Sequence, residues 1–225
     1  MKLLLVGHGR MGRLVETLAA GEGFEVVGTV TSRNAAGHWP AADVAIDFST
    51  AVAVPATVAR LAGQRIPIVI GTTGWQADHE EVRRAAEAAD LGVVAAANFA
   101  VGVNVFLAVI ERAGALMAGQ PSFGAWIHEA HHAAKRDAPS GTALAMEARL
   151  RRQGYAADVP IASTRAGAIP GTHTLGFDSA SETLTFTHQA RDRAAFARGA
   201  LLAARWVQGK HGWFTMSDVL NLEEK

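Results

Sequence analysis

Cysteine is absent from the 225 residues. That excludes a disulfide framework, thiolate metal centres and cysteine nucleophiles, and leaves any chemistry to oxygen and nitrogen groups. Net charge is absent too, since 21 lysines and arginines balance 21 aspartates and glutamates. No nucleic-acid surface and no basic membrane patch is therefore expected, whereas a small-molecule partner is. No run approaches the ~18 consecutive apolar residues that a membrane span needs. The apolar start Lys2-Leu3-Leu4-Leu5-Val6 is too short for a secretory core and runs straight into glycines, so a cytoplasmic location is the expectation. Internal repeats and low-complexity linkers are missing as well. What the chain does hold is 49% hydrophobic residues and 23 glycines, enough for two modest cores with many tight turns.

Short apolar strands at 3–6, 24–30, 44–48, 66–70 and 91–95 alternate with helical stretches through about residue 20, at 52–62 and at 78–89. Regular strand–helix alternation predicts a doubly wound parallel sheet of Rossmann-like α/β type. After Asn98 the pattern changes. A long apolar helix at about 104–118 precedes strands at 124–130, 161–165, 172–177 and 183–187, which predict a second α+β domain with a mainly antiparallel sheet beginning near Val101. A further helix is expected at 194–208.

Gly7, Gly9 and Gly12 have the G-x-G-x-x-G spacing between the first strand and the first helix. Glycine there permits a tight turn, close approach of a pyrophosphate and helix-to-strand packing, although a plain glycine turn would satisfy the same spacing. Where NAD-selective sites usually carry an acid after the second strand, this chain reads Thr31-Ser32-Arg33-Asn34. Ser32 and Arg33 suit a 2′-phosphate, and an exposed loop arginine is the alternative. Gly71-Thr72-Thr73-Gly74 ends the fourth strand at the carboxyl edge, where nicotinamide and substrate should meet.

The densest chemistry lies in Glu129-Ala130-His131-His132-Ala133-Ala134-Lys135-Arg136-Asp137-Ala138-Pro139-Ser140-Gly141-Thr142-Ala143. Pro139 and Ser140 mark a helix entry, with Ser140 as N-cap of an apolar run that Gly154 stops. The N–H groups of Gly141 and Thr142 would face an anion with the helix dipole behind them. His131, His132 and Lys135 can bring protons and positive charge to the same anion. One competing pattern overlaps this segment, because His128-Glu129-Ala130-His131-His132 also satisfies H-E-x-x-H. Zinc ligation would need His128 and His132 on one face of a continuous helix, which the Pro139 break disfavours, so no metal is expected. Glu129 and Asp137 read as orienting or pairing groups, and His8, His38, His79, His173, His188 and His211 as loop or structural residues.

The same segment resembles the signature of the 4-hydroxy-tetrahydrodipicolinate reductase family. The likeness recurs, in that family's order, at Gly7 to Gly12, Ile46-Asp47-Phe48-Ser49, Val69 to Gly74, Ala96 to Asn104, Arg165-Ala166-Gly167, Pro170-Gly171-Thr172-His173 and Phe186-Thr187-His188. The resemblance implies NAD(P)H-dependent reduction of a cyclic dicarboxylic amine derivative in the diaminopimelate route to lysine, by a homotetramer built through the sheet domain. It implies His131 as catalytic acid/base and Lys135 as proton donor, with His132, Ser140, Gly141 and Thr142 binding substrate. It also implies cofactor contacts from Gly7, His8, Gly9, Arg10, Met11, Gly12, Ser32, Arg33, Gly71, Thr72, Thr73, Ala96, Ala97, Asn98 and Phe99. The family often carries an acid followed by arginine after the second strand and uses both cofactors. Ser32 departs from that pattern, so NADPH is expected to be preferred and NADH to be accepted. The expected domains are 1–100 with 209–225 for the dinucleotide, and 101–208 for substrate binding and oligomerisation. Two alternatives are a catalytically silent NADP-sensing module of the same fold and another small amino-acid dehydrogenase. The histidine–lysine segment speaks against both.

Overall fold

The computed structural model describes residues 1–222, so the end of the expected 209–225 segment, residues 223–225, lies outside the described residues. In chain order the first elements are β1 (Lys2–Val6), α1 (Arg10–Ala19), β2 (Glu25–Val30), β3 (Val44–Asp47), α2 (Val54–Gln64), β4 (Ile68–Ile70), α3 (His79–Ala88) and β5 (Gly92–Ala95). They are followed by α4 (Val101–Met117), β6 (Gly124–His131), α5 (Gly141–Arg152), β7 (Ile161–Arg165), β8 (Thr172–Asp178) and β9 (Thr183–Gln189). Last come α6 (Ala194–Trp206), β10 (Gly212–Phe214) and α7 (Met216–Leu220). Two compact units result, one of Met1–Val101 with the chain from Ala194 onward, the other of Gly102–Arg193.

The first unit is a six-stranded sheet in the order β10-β5-β4-β3-β1-β2, parallel throughout. Its central strands are buried on both faces, which is why they read as continuous apolar runs rather than alternating ones. Alternation still sorts the side chains. Leu3, Leu5, Ile46, Val69 and Val94 face a layer holding Val15, Ala19, Ala200, Leu201 and Ala204, whereas Leu4, Val6, Ala45, Ile68 and Val93 face Val54, Val58, Leu61, Val82 and Ala86. The first layer corrects the expected domain boundary. Helix α6 belongs to this unit and not to 101–208, because its small residues Ala197, Ala200 and Ala204 pack on the same sheet face as α1. Strand order turns about β1 and β3, with β2 on one side and β4 on the other, so a crevice opens beyond their carboxyl ends.

The second unit is a four-stranded sheet in the order β7-β6-β8-β9. The β6–β8 and β8–β9 pairs are antiparallel and the β6–β7 pair is parallel, so the sheet is mixed but mainly antiparallel, as expected. Helix α5 packs against β6 and β8. Side chains of β6 alternate between faces. Ala125, Ile127, Glu129 and His131 lie on one face, and register puts Leu175 opposite Ile127, His173 opposite Glu129 and Arg165 opposite His131. That face is apolar at one end, with Ile127, Leu175 and Phe177 buried, and polar at the other, with Glu129, His131 and His173 buried. The opposite face carries Trp126, which lies over Gly176, and His128 beside Thr164.

Candidate functional site

In the nucleotide unit the candidate residues gather at the carboxyl ends of β1, β2, β4 and β5. Gly7 has φ +91°, and a Cβ there would fall on the carbonyl of Phe48 at the end of β3. A Cβ on Gly12 would fall on the carbonyl of Gly7, whereas a Cβ on Gly9 would meet nothing within 4 Å. The first and third glycines are thus required by packing, and the middle one leaves open space in front of α1. Helix α1 has no side-chain cap and no acid in its first turn. Its first N–H groups and dipole are therefore left for an anion, which is what a pyrophosphate needs.

The side chains around this turn are divided in use. His8 is exposed and its Nε2 pairs with Glu16 at 2.8 Å, while Met11 packs into the core layer beneath. Arg10 is exposed. Ser32 and Arg33 are exposed on the turn after β2, which Asn34 holds by accepting from the Thr31 N–H at 2.6 Å and donating to the Thr29 carbonyl at 3.0 Å. Thr72 is buried and its hydroxyl donates to Asp47 Oδ1 at 2.7 Å, so of the two threonines Thr73 is the exposed one. Asp47 also accepts from the Ser49 N–H at 2.7 Å, tying together the loops that follow β3 and β4. Burial pushes the Asp47 carboxyl up, against the lowering by those hydrogen bonds. Phe48 covers Gly71 and meets Phe99 edge to face at 6.3 Å. Ala96 and Asn98 are half-buried and Ala97 is exposed beside them. Sequence reasoning passed over Asp47 and Phe48 as site residues, although both lie in a segment that matched the family.

The second unit gathers the candidate proton-handling groups. Glu129 is fully buried, and both of its oxygens accept from Arg165, at 2.7 Å and 2.9 Å. Oε1 also accepts from the Ser140 N–H at 3.3 Å, and Oε2 accepts from His131 Nδ1. Burial alone would raise the Glu129 carboxyl, but the Arg165 guanidinium, with the Ser163 and His131 hydrogen bonds, brings it down to about 2. It is therefore an anion throughout the neutral range. Burial lowers His131 below the ordinary imidazole range, and the Lys135 and Arg165 charges add to this while Glu129 opposes it. His173 stands edge-on to His131 at 5.0 Å, and burial, with the neighbouring His131, pushes it down to about 4.

Ser140 caps α5 by accepting from the Ala143 N–H at 3.2 Å, as the sequence predicts. Its hydroxyl also meets His173 Nε2 at 3.0 Å and the residue is buried, so Ser140 belongs to the frame of the site. Gly141 and Thr142 are left at the helix start, with no acid in the first turn. Lys135 donates to both oxygens of Asp137, at 2.7 Å and 2.8 Å, and His132 is half-buried on the turn before it. The H-E-x-x-H pattern runs off the end of β6, with His128 to His131 in the strand and His132 beyond it, so the continuous helix that would bring His128 and His132 to one face is replaced by strand and turn. One oxygen of Glu129 and one nitrogen each of His131 and His173 do lie within 4.8 Å of one another. With both Glu129 oxygens held by Arg165, that group reads as a proton-handling cluster. Arg165 and His173 were the site members least legible in sequence.

The family model described as dihydrodipicolinate reductase, N-terminus, matches residues 1–99, and the one described as dihydrodipicolinate reductase, C-terminus, matches residues 102–220. The chain is 34% identical over 234 residues to a 4-hydroxy-tetrahydrodipicolinate reductase of Christiangramia forsetii, covering 98% of each chain. It is 35% identical over 252 residues to one of Zymomonas mobilis, covering 99% of this chain and 98% of that one. Among solved structures, the dipicolinate-bound dihydrodipicolinate reductase from Paenisporosarcina sp. TG-14 superposes with a TM-score of 0.81 at 21% identity, over 96% of this chain and 97% of that one. That likeness carries the fold: a Rossmann-type dinucleotide-binding sheet with a second, mixed sheet. By its two family models and its full-length relatives, the chain belongs to the dihydrodipicolinate reductase family.

Proposed function

We propose that this protein reduces 4-hydroxy-tetrahydrodipicolinate to tetrahydrodipicolinate, the activity in its relatives' names, with a nicotinamide dinucleotide as reductant. The observation that carries this reading is the buried Glu129 linking His131 to the start of α5, an acid/base and an anion site in one frame. A silent sensor module would have no use for such a frame. When bound, the reduced dinucleotide supplies hydride to the substrate ring. The chain's own residues bind and handle protons. The pyrophosphate fits the space at Gly9 before the uncapped α1, and Arg33 with Ser32 suits a 2′-phosphate, which favours NADPH over NADH. A substrate carboxylate fits the free N–H groups of Gly141 and Thr142, with His132 beside them.

Loss of the substrate hydroxyl as water takes up a proton on that oxygen and releases one from the neighbouring ring carbon, and hydride addition then takes up a proton, so one proton is consumed overall. His131 Nε2 and the Lys135 ammonium are the groups for these transfers, worth about 10²–10⁴-fold where general acid catalysis operates. In the empty protein His131 is held neutral by burial, and two substrate carboxylates nearby raise its proton affinity. Self-association into a tetramer, which the family resemblance implies, belongs to the same reading, and light scattering measures it. Initial rates with enzymatically generated substrate test the function. NADPH is expected to give the larger kcat/KM and NADH a smaller one, and absence of turnover with both overturns the reading.

A further inference from the structure

Glu129 is the most constrained charged group in the second unit, yet the proposed chemistry leaves it no proton to move. Its carboxylate is fully buried and receives two hydrogen bonds from Arg165, one from the Ser140 N–H and one from His131 Nδ1. An ionised carboxylate only accepts, so the hydrogen on His131 Nδ1 is fixed in place and the exchangeable position of the ring is Nε2. Gly171 leaves that nitrogen uncovered. It has φ +143°, and a Cβ there would stand 3.2 Å from His131 Nε2. His173 meets the flank of the same imidazole edge-on, and its own Nε2 is engaged by the Ser140 hydroxyl. Glu129 therefore sets the tautomer of the His131 ring, and Gly171 and His173 border it at Nε2 and on its flank.

We infer that Glu129, locked by Arg165, is a positioning residue that holds His131 in the Nδ1–H tautomer with Nε2 as its only proton port, and couples that port to the carboxylate-binding turn through the Ser140 N–H. The inference rests on the proposed role of His131 as acid/base. The coupling follows from connectivity, since one carboxylate holds the imidazole by Oε2 and the first residue before α5 by Oε1. The acid/base and the anion site are then set by a single group rather than by two loops that could drift apart. During turnover His131 gives one proton from Nε2 to the substrate and returns to the neutral Nδ1–H form, while Glu129 stays ionised throughout.

Three measurements test this on the full-length protein. In wild type, ¹⁵N spectra of neutral His131, assigned by the signals lost in H131Q, should show the hydrogen on Nδ1; a hydrogen on Nε2 overturns the inference without any variant of Glu129. In E129Q the charge that favours the imidazolium is gone, while Lys135 and Arg165, which oppose it, remain, with the neutral His173 edge-on to the ring. The pH limb that needs protonated His131 should therefore move to lower pH by about one unit or more. kcat should fall by about 10-fold or more with KM less affected, because the amide can offer an N–H to Nδ1 and turn the imidazole to the other tautomer. E129D, which restores the charge at shorter reach, should recover the pH limb more than the rate. A merely structural Glu129 would lower the yield of folded protein but leave the pH limb of what folds unmoved. If H131Q is inactive while E129Q keeps kcat and its pH limb, the positioning role fails alone; if H131Q turns over normally, the reading of the active site fails with it.

Discussion

The two units build their sites from different materials. The nucleotide unit uses backbone: three glycines, an uncapped helix start and loops tied by Asp47, with Ser32, Arg33 and Thr73 exposed around them. The second unit uses side chains, and buries them. Glu129, His131, Ser140 and His173 are all at least nine-tenths covered, and their partners come from β6, β7, β8 and the start of α5. A backbone site tolerates variation at its rim because its donors belong to the fold, whereas a buried side-chain network loses most of its function when one member is removed. Substitutions in the two units should therefore differ in size and kind, and each of the following can break that contrast.

The largest effect is expected at Lys135. K135A removes the proposed proton donor, which lies outside the buried cluster, so kcat should fall by about two to four orders of magnitude with folding and NADPH binding unchanged. Steady-state kinetics beside a fluorescence titration of NADPH check it. R165A comes next and acts on stability. It strands a fully buried carboxylate, and breaking such a pair from one side costs about 3–5 kcal/mol. Denaturant unfolding measures this, and a loss below about 1 kcal/mol would mean that Glu129 finds another partner. R33A should weaken NADPH by about 1.5–3 kcal/mol, or less where water competes, and leave NADH nearly unchanged. Equal losses for the two cofactors would remove Arg33 from the 2′-phosphate site. T142V should be milder, since the backbone N–H remains; its effect should fall on KM where substrate leaves faster than it reacts.

Acid sensitivity sharpens the same contrast. His173 is held neutral in the fold at a pKa of about 4, against an ordinary value of 6.5. Between those values the unfolded chain binds a proton that the folded one refuses, so stability falls as pH drops from 6.5 towards 4. Glu129, lowered to about 2 from 4.5, contributes stability that is complete above 4.5 and lost as pH falls towards 2. Melting temperatures across that range should decline in two overlapping steps. H173Q should shrink the first, to which the lowered His131 and His188 also contribute, and leave the second.

Legibility in the sequence followed the same division. Strand–helix alternation predicted the parallel sheet, and the glycine spacing located the turn before α1, because both depend on neighbours within one turn or strand. The Ser140 cap was legible for the same reason. Glu129 and Arg165 are 36 residues apart and meet only through the parallel β6–β7 register, which no local pattern specifies. His173 joins them because it lies opposite Glu129 across β8, again a matter of register. The domain boundary misled for a related reason. An alanine-rich helix such as α6 fits closely on either sheet, and its sequence does not say which; Ala197, Ala200 and Ala204 pack beside α1. The hydroxyls of Thr72 and Ser140, residues that the resemblance implies as ligand contacts, are engaged by Asp47 and His173, pairings that again depend on long-range register.

The claim that proton chemistry resides in the second unit and dinucleotide binding in the first is tested most directly by H131Q, with kcat and the NADPH dissociation constant measured on the same preparation. A kcat lowered by about two to four orders of magnitude with an unchanged dissociation constant is the predicted result. Normal turnover, or a parallel loss of NADPH binding, would contradict it.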